Sequence, residues 1–206
     1  TSRMFDGKYG LSVTQNIEAM MNKILNPFRF LPLRQALCWG IAALILVSVL
    51  FWQAGMRLTS LTQMNFAGDH LFQATARQLT AWAVFAVVLY LAGLAASSSK
   101  IRFWDVAAFN LFARIPFDVS MIIFLIPKVR SVMGLLADGS VNTALKYPIT
   151  VSAIGLVSML FFLWYIFWSY KAFAESTNLK NGKGVGIFIV CFVVAYVASI
   201  YLLRLF

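Results

Sequence analysis

Residues 106–126 read VAAFNLFARIPFDVSMIIFLI, a run long enough to cross a bilayer that nevertheless holds Asn110, Arg114, Pro116 and Asp118. A hydrocarbon core about 30 Å thick takes roughly 20 residues of helix. Arg114 and Asp118 therefore fall near mid-depth, where each charge costs on the order of 2.5–3.5 kcal/mol on insertion scales. Asn110, Arg114 and Asp118 are spaced four apart and form one polar stripe on a helix. Such a stripe has to meet other helices, a water-filled cavity or a partner. Pro116 removes a backbone donor, so a kink is expected beside Arg114. Because Cβ bonds tilt toward a helix N-terminus, Asp118 leans back toward Arg114. Three readings stay open: an intrahelical ion pair, completed by Asn110, that locks this span to its neighbours; a polar site for a lipid headgroup, an anion or a proton; and contact with a charged residue on another subunit.

Outward from this stretch the chain is of one kind. Of its 206 residues 61% are hydrophobic and 12% charged, against roughly 45–50% and 25% in soluble domains. It reads as an all-α, polytopic integral membrane protein with spans at about 36–56, 79–96, 106–126, 149–170 and 185–203, a five-helix bundle. Trp39 and Trp52 sit near the two ends of the first span as interfacial anchors. A polar connection over 57–78 holds the only histidine, His70, next to Asp69. A single histidine without a second ligand at metal spacing points away from a metal site, and Asp69 is expected to cap a helix that continues through Arg77 into the second span. Ser97-Ser98-Ser99-Lys100 is a short turn, and Asp138-Gly139 marks another inside the connection over 131–146. Ser152, Gly155 and Ser158 put small residues three apart in the fourth span, a pattern that permits close helix contact. That span ends in an aromatic run, residues 161–168, expected to act as interfacial belt and packing surface. Residues 171–184 read as a polar hairpin, and Ala195 with Ser199 is a second small pair.

Ahead of the spans, residues 1–26 form a separate N-terminal region, and 27–206 the membrane domain. Residues 1–10 read as a flexible tail. From Ser12 the apolar residues Val13, Ile17, Met20, Ile24 and Leu25 share a helical face, Ser12 with Gln15 resembles a capping box, and Pro27 stops the run. Either an amphipathic helix at the membrane surface or a mobile leader fits this pattern.

The net charge of +10 is scattered at the ends of apolar runs rather than gathered into a patch, which argues against a nucleic-acid partner. With the N-terminus cytoplasmic, ten Lys and Arg lie in inside segments and six in outside segments, favouring N-in and C-out. Cys38 and Cys191 lack the spacing of a metal or redox pair and are expected as buried thiols. No His pair, clustered acids or Gly-rich phosphate loop is present, so an enzyme is not expected, and neither is a cofactor or metal.

Asn26-Pro27-Phe28-Arg29 leading into Trp39-Gly40, the five spans, and Ala113-Arg114-Ile115-Pro116 together resemble bacterial members of the Yip (Ypt-interacting protein) membrane-domain family over residues 26–206. The acidic Asp-Leu-x-Gly-Pro motif of the eukaryotic branch does not occur here, and small-GTPase binding is not carried over. The resemblance implies a non-enzymatic five-helix domain working through other membrane proteins or lipids. The expectation is thus a scaffold or accessory subunit of a bacterial inner membrane, partnered by lipids and by another membrane protein or itself. The alternative is a carrier of a small or lipid-like molecule, using the Asn110, Arg114, Asp118 stripe as its lining and the Pro116 kink as a hinge.

Overall fold

Five helical stretches are long and apolar enough to cross a membrane, and their boundaries follow local chemistry. The computed structural model describes residues 6–137, 142 and 146–205; residues 1–5 of the tail and the turn expected at Asp138-Gly139 lie outside them. Helix α1 is Asp6–Leu25, so residues 6–10 are helical rather than a flexible tail. Ser12 lies inside the helix and is not its cap. α2, Leu33–Ala54, starts behind Pro32 and stops at Gly55, whose φ of 66° closes the last turn in the left-handed region. α3 is Leu71–Ala96, one helix running through Arg77 into the span over 79–96, because a polar first turn does not stop a helix whose buried face is already in register.

The third span is broken as Pro116 requires: α4, Phe103–Ala113, gives way at Arg114 to α5, Ile115–Ser120, and then to a tight 3-10 segment, Met121–Leu125. α6, Pro127–Ala137, continues as a helix where a plain connection was expected. Its Val129 and Val132 are buried and Lys128 and Arg130 exposed, which suits a helix lying across the end of the bundle. α7 is Pro148–Thr177 and α8 Gly182–Leu203. The hairpin between them thus shrinks to four residues, 178–181. At 1.5 Å per residue the 30-residue α7 is roughly 45 Å long, so it outreaches the hydrocarbon layer.

The third span is the central rod. In its apolar stretch 61% of residues are buried, against 11–39% in the other four. α4 packs on α2, α3 and α7, α5 packs on α7, and α8 packs chiefly on α3. Close helix approaches occur at Gly40 of α2, where a Cβ would stand 2.7 Å from Leu111 Cγ of α4, and at Gly93 of α3, where one would stand 2.7 Å from Thr177 Cγ2 of α7. The stripe at Ser152, Gly155 and Ser158 makes no such contact. Ser152 and Gly155 are exposed, and nothing lies within 4 Å of a Cβ built on Gly155. Ala195 and Ser199 are both fully buried. Cys191 is buried, but Cys38 is exposed on α2 and is not the buried thiol expected.

Asn26-Pro27-Phe28-Arg29 is a clip. Phe28 is buried against Phe109, Phe112 and Trp168. Asn26 Nδ2 donates to Glu175 Oε1 at 2.9 Å. Arg29 Nε stands 3.8 Å from the same oxygen and Lys180 Nζ 2.7 Å from Glu175 Oε2. Trp168 Nε1 donates to the carbonyl of Ile24 at 3.1 Å. Residues near the end of α1 are thereby held to α7, while Ile17, Met20, Met21, Ile24 and Leu25 stay exposed, an apolar stripe without a protein cover among the described residues.

Candidate functional site

Two members of the third span's polar stripe pair with each other and with one neighbour, while Arg114 Nη1 and Gln78 Nε2 have no hydrogen-bond partner among the described residues. Arg114 sits at the break between α4 and α5, so its side chain can turn toward the next turn of α5, and Nε meets Asp118 Oδ1 at 3.2 Å. Arg114 Nη2 donates to Gln78 Oε1 of α3. The guanidinium carbon lies 5.5 Å from the centre of the Phe117 ring, which covers a second face of the cation. Arg114 and Asp118 are 4% and 6% exposed, and Gln78 1%. Asn110 is buried in the same core, but its Nδ2 has no hydrogen-bond partner among the described residues. The side chain that completes the pair is therefore Gln78. Its position was open to inspection: Ala74, Arg77, Gln78, Ala81 and Phe85 share the buried face of α3. A helix running through Arg77 into the second span was expected, but Gln78 was not singled out as a member of its buried face.

Beside Asp118, a crevice of about 210 Å³ opens between α2 and α5. Its walls include Trp39, Leu46, Val47, Val119 and Ile122, and Asp118 is its one charged member; Arg114 does not line it. Trp39, Leu46, Val119 and Ile122 are exposed apolar residues on the outer face of the bundle, so the crevice opens toward acyl chains.

A second arginine–aspartate cluster stands at the end of the bundle where α2 leads into α3. There β1, Arg57–Leu58, pairs antiparallel with β2, Met64–Asn65, in the register Arg57 opposite Asn65. Asp69, whose side chain is fully buried, takes Arg57 Nε on Oδ1 at 2.8 Å and has Arg77 Nε 3.0 Å from Oδ2. It is an ion-pair hub and not a helix cap; that place is His70's, whose backbone N–H donates to the Gln73 side chain at 3.3 Å. Arg77 Nη1 also donates to the carbonyls of Leu58, at 3.3 Å, and Leu203, at 2.7 Å. Arg57 Nη2 donates to the carbonyl of Gly68 at 3.0 Å. Leu61 N–H donates to Ser199 Oγ at 2.8 Å. The short ladder, α3 and α8 are thus tied into one end piece.

No group of three or more His, Cys, Asp or Glu side chains that could hold a metal occurs among the described residues. No family model, no curated protein and no solved structure matches this chain.

Proposed function

We propose that the chain is a non-enzymatic, five-span scaffold or accessory subunit of a bacterial inner membrane, acting through contacts with other membrane proteins or lipids. The observation that supports this reading is the closure of the mid-membrane charges. Arg114 is 4% exposed and bonded to Asp118 and Gln78, with Nη1 left without a partner among the described residues, and a buried charge held mainly by protein suits a span that organises its neighbours. A carrier reading would draw support from a polar cavity beside Arg114 larger than about 300 Å³, the lower end of ligand sites. The crevice nearest the pair holds about 210 Å³, has apolar walls and leaves Arg114 out. The uncovered apolar stripe of α1 offers such a subunit a surface for a membrane or a partner helix. The resemblance to bacterial Yip-type domains agrees with this class of function, and the ten-to-six distribution of Lys and Arg supports a cytoplasmic N-terminus.

Native mass spectrometry after extraction in a mild detergent tests the reading. A stoichiometric membrane-protein companion or a second copy of the chain is expected. A lone chain that moves a solute into proteoliposomes overturns it in favour of a carrier. Orientation is tested separately in a Cys38→Ser background, because Cys38 is itself exposed. Ser98→Cys should react from the cytoplasm and Asn65→Cys from outside, and the opposite pattern inverts the topology.

A further inference from the structure

Arg57, Arg77 and Arg204 line a cavity of about 520 Å³ at the ladder end of the bundle, together with Thr59, Gln63 and Asn65 and an apolar flank from α8. Among the described residues Asp69 is the one carboxylate in ion-pair contact with this arginine set, so one acidic group stands against three guanidinium groups. Arg204 has no carboxylate within salt-bridge reach among the described residues; its guanidinium carbon lies 5.8 Å from the centre of the Tyr201 ring. Arg57 and Arg77 are held by Asp69 and by backbone carbonyls, so they are fixed before any ligand arrives. A planar guanidinium fork presented in this way suits the oxygens of a phosphate. Hydrogen-bonding side chains on the β1–β2 ladder add neutral partners for the remaining oxygens. The cavity lies where α8 ends, at Leu203, the level at which an apolar span gives way to headgroups.

We propose that this cavity binds a phosphate-bearing anion, its oxygens taken by Arg204 and Arg57 with Gln63 and Asn65 as lesser partners. The same phosphate chemistry is offered by a lipid headgroup or by a small soluble phosphate, and the experiment separates them. The full chain is purified in neutral detergent and delipidated. Its melting temperature and native mass are then measured with phosphatidylglycerol, with phosphatidylcholine and, separately, with inorganic phosphate and glycerol 3-phosphate. Arg204→Gln and Arg57→Gln are compared with Lys171→Gln, a charge near the opposite end of α7.

Phosphatidylglycerol should remain bound and raise the melting temperature. Arg204→Gln should weaken it on the order of tenfold, the loss of one charge-assisted contact, and Lys171→Gln should not. A response to the soluble phosphates with the same dependence on Arg204 assigns the cavity to a free ligand instead. Arg204 is exposed and outside the Asp69 cluster, so its variant folds even if Arg57→Gln does not. The proposal is overturned if Arg204→Gln binds every probe as the parent does, or if Lys171→Gln loses as much, since the attraction is then generic surface charge.

Discussion

Arg114 in the middle of the bundle and Arg77 at its end are nearly equally buried, at 4% and 5% exposed, and each faces an aspartate. Their remaining partners differ in kind. Arg77 reaches two backbone carbonyls, one on the β ladder and one at the last turn of α8. Arg114 is held by side chains, Asp118 and Gln78. The difference follows from where free carbonyls exist. A helix leaves its last carbonyls unsatisfied and a short loop leaves more, whereas mid-helix carbonyls are largely taken by the helix itself. A cation at a helix end can therefore lose its carboxylate and keep other acceptors. A cation at mid-span depends on the few polar side chains its neighbours bring.

The sharpest way to break this contrast is to neutralise each aspartate in turn. Asp118→Asn should be the most damaging change, costing about 3–5 kcal/mol because it leaves a buried cation with an amide in place of its counter-ion. Thermal unfolding and the yield of folded protein in detergent report it. The paired reversal Arg114→Asp with Asp118→Arg should recover part of the loss, and no recovery argues against a direct pair. Asp69→Asn should cost less, about 1.5–3 kcal/mol, since Arg77 keeps the carbonyls of Leu58 and Leu203 and the half-exposed Arg57 turns to water. A loss equal to that of Asp118→Asn would show that carbonyls do not substitute for a counter-ion here.

Smaller effects test the packing that brings Gln78 and Arg114 together. Gly40→Ala should destabilise by about 1–3 kcal/mol through overpacking, because the added Cβ meets Leu111 Cγ, Cδ2 and Cβ at 2.7–3.1 Å, and Cγ and Cβ lie too near the backbone to swing aside. Gly155→Ala meets open space and should leave the melting temperature unchanged or slightly raised, through the better helix propensity of alanine.

The five spans and the break in the third could be read from the letters because bilayer thickness, apolar run length and proline geometry are local or nearly local constraints. The ends were less legible. Leu71–Thr75 opens α3 with mixed polarity, so a helix through Arg77 could be expected there but not that Ala74, Arg77, Gln78 and Ala81 form its buried face. The Ser152, Gly155, Ser158 pattern carried the wrong weight, since small residues permit close contact without supplying a neighbour, and the neighbour lies elsewhere at Gly40 and Leu111. Asp69 looked like a cap because its partners are non-adjacent: Arg57 lies twelve residues back, across a ladder of two-residue strands that no periodicity signals.

The central placement of the third span bears on how the chain is made. Synthesis runs from α1 onward, so Arg114 and Asp118 emerge from the ribosome before α7 and α8 exist to shield them. Gln78 of α3 and the Gly40 surface of α2 are already in place by then. Partners that precede a costly segment let it leave the insertion machinery as part of a three-helix intermediate, and the later helices close around it. Gln78→Leu would withdraw one of those early partners while leaving α7 and α8 intact, and should slow or stall membrane integration of the third span.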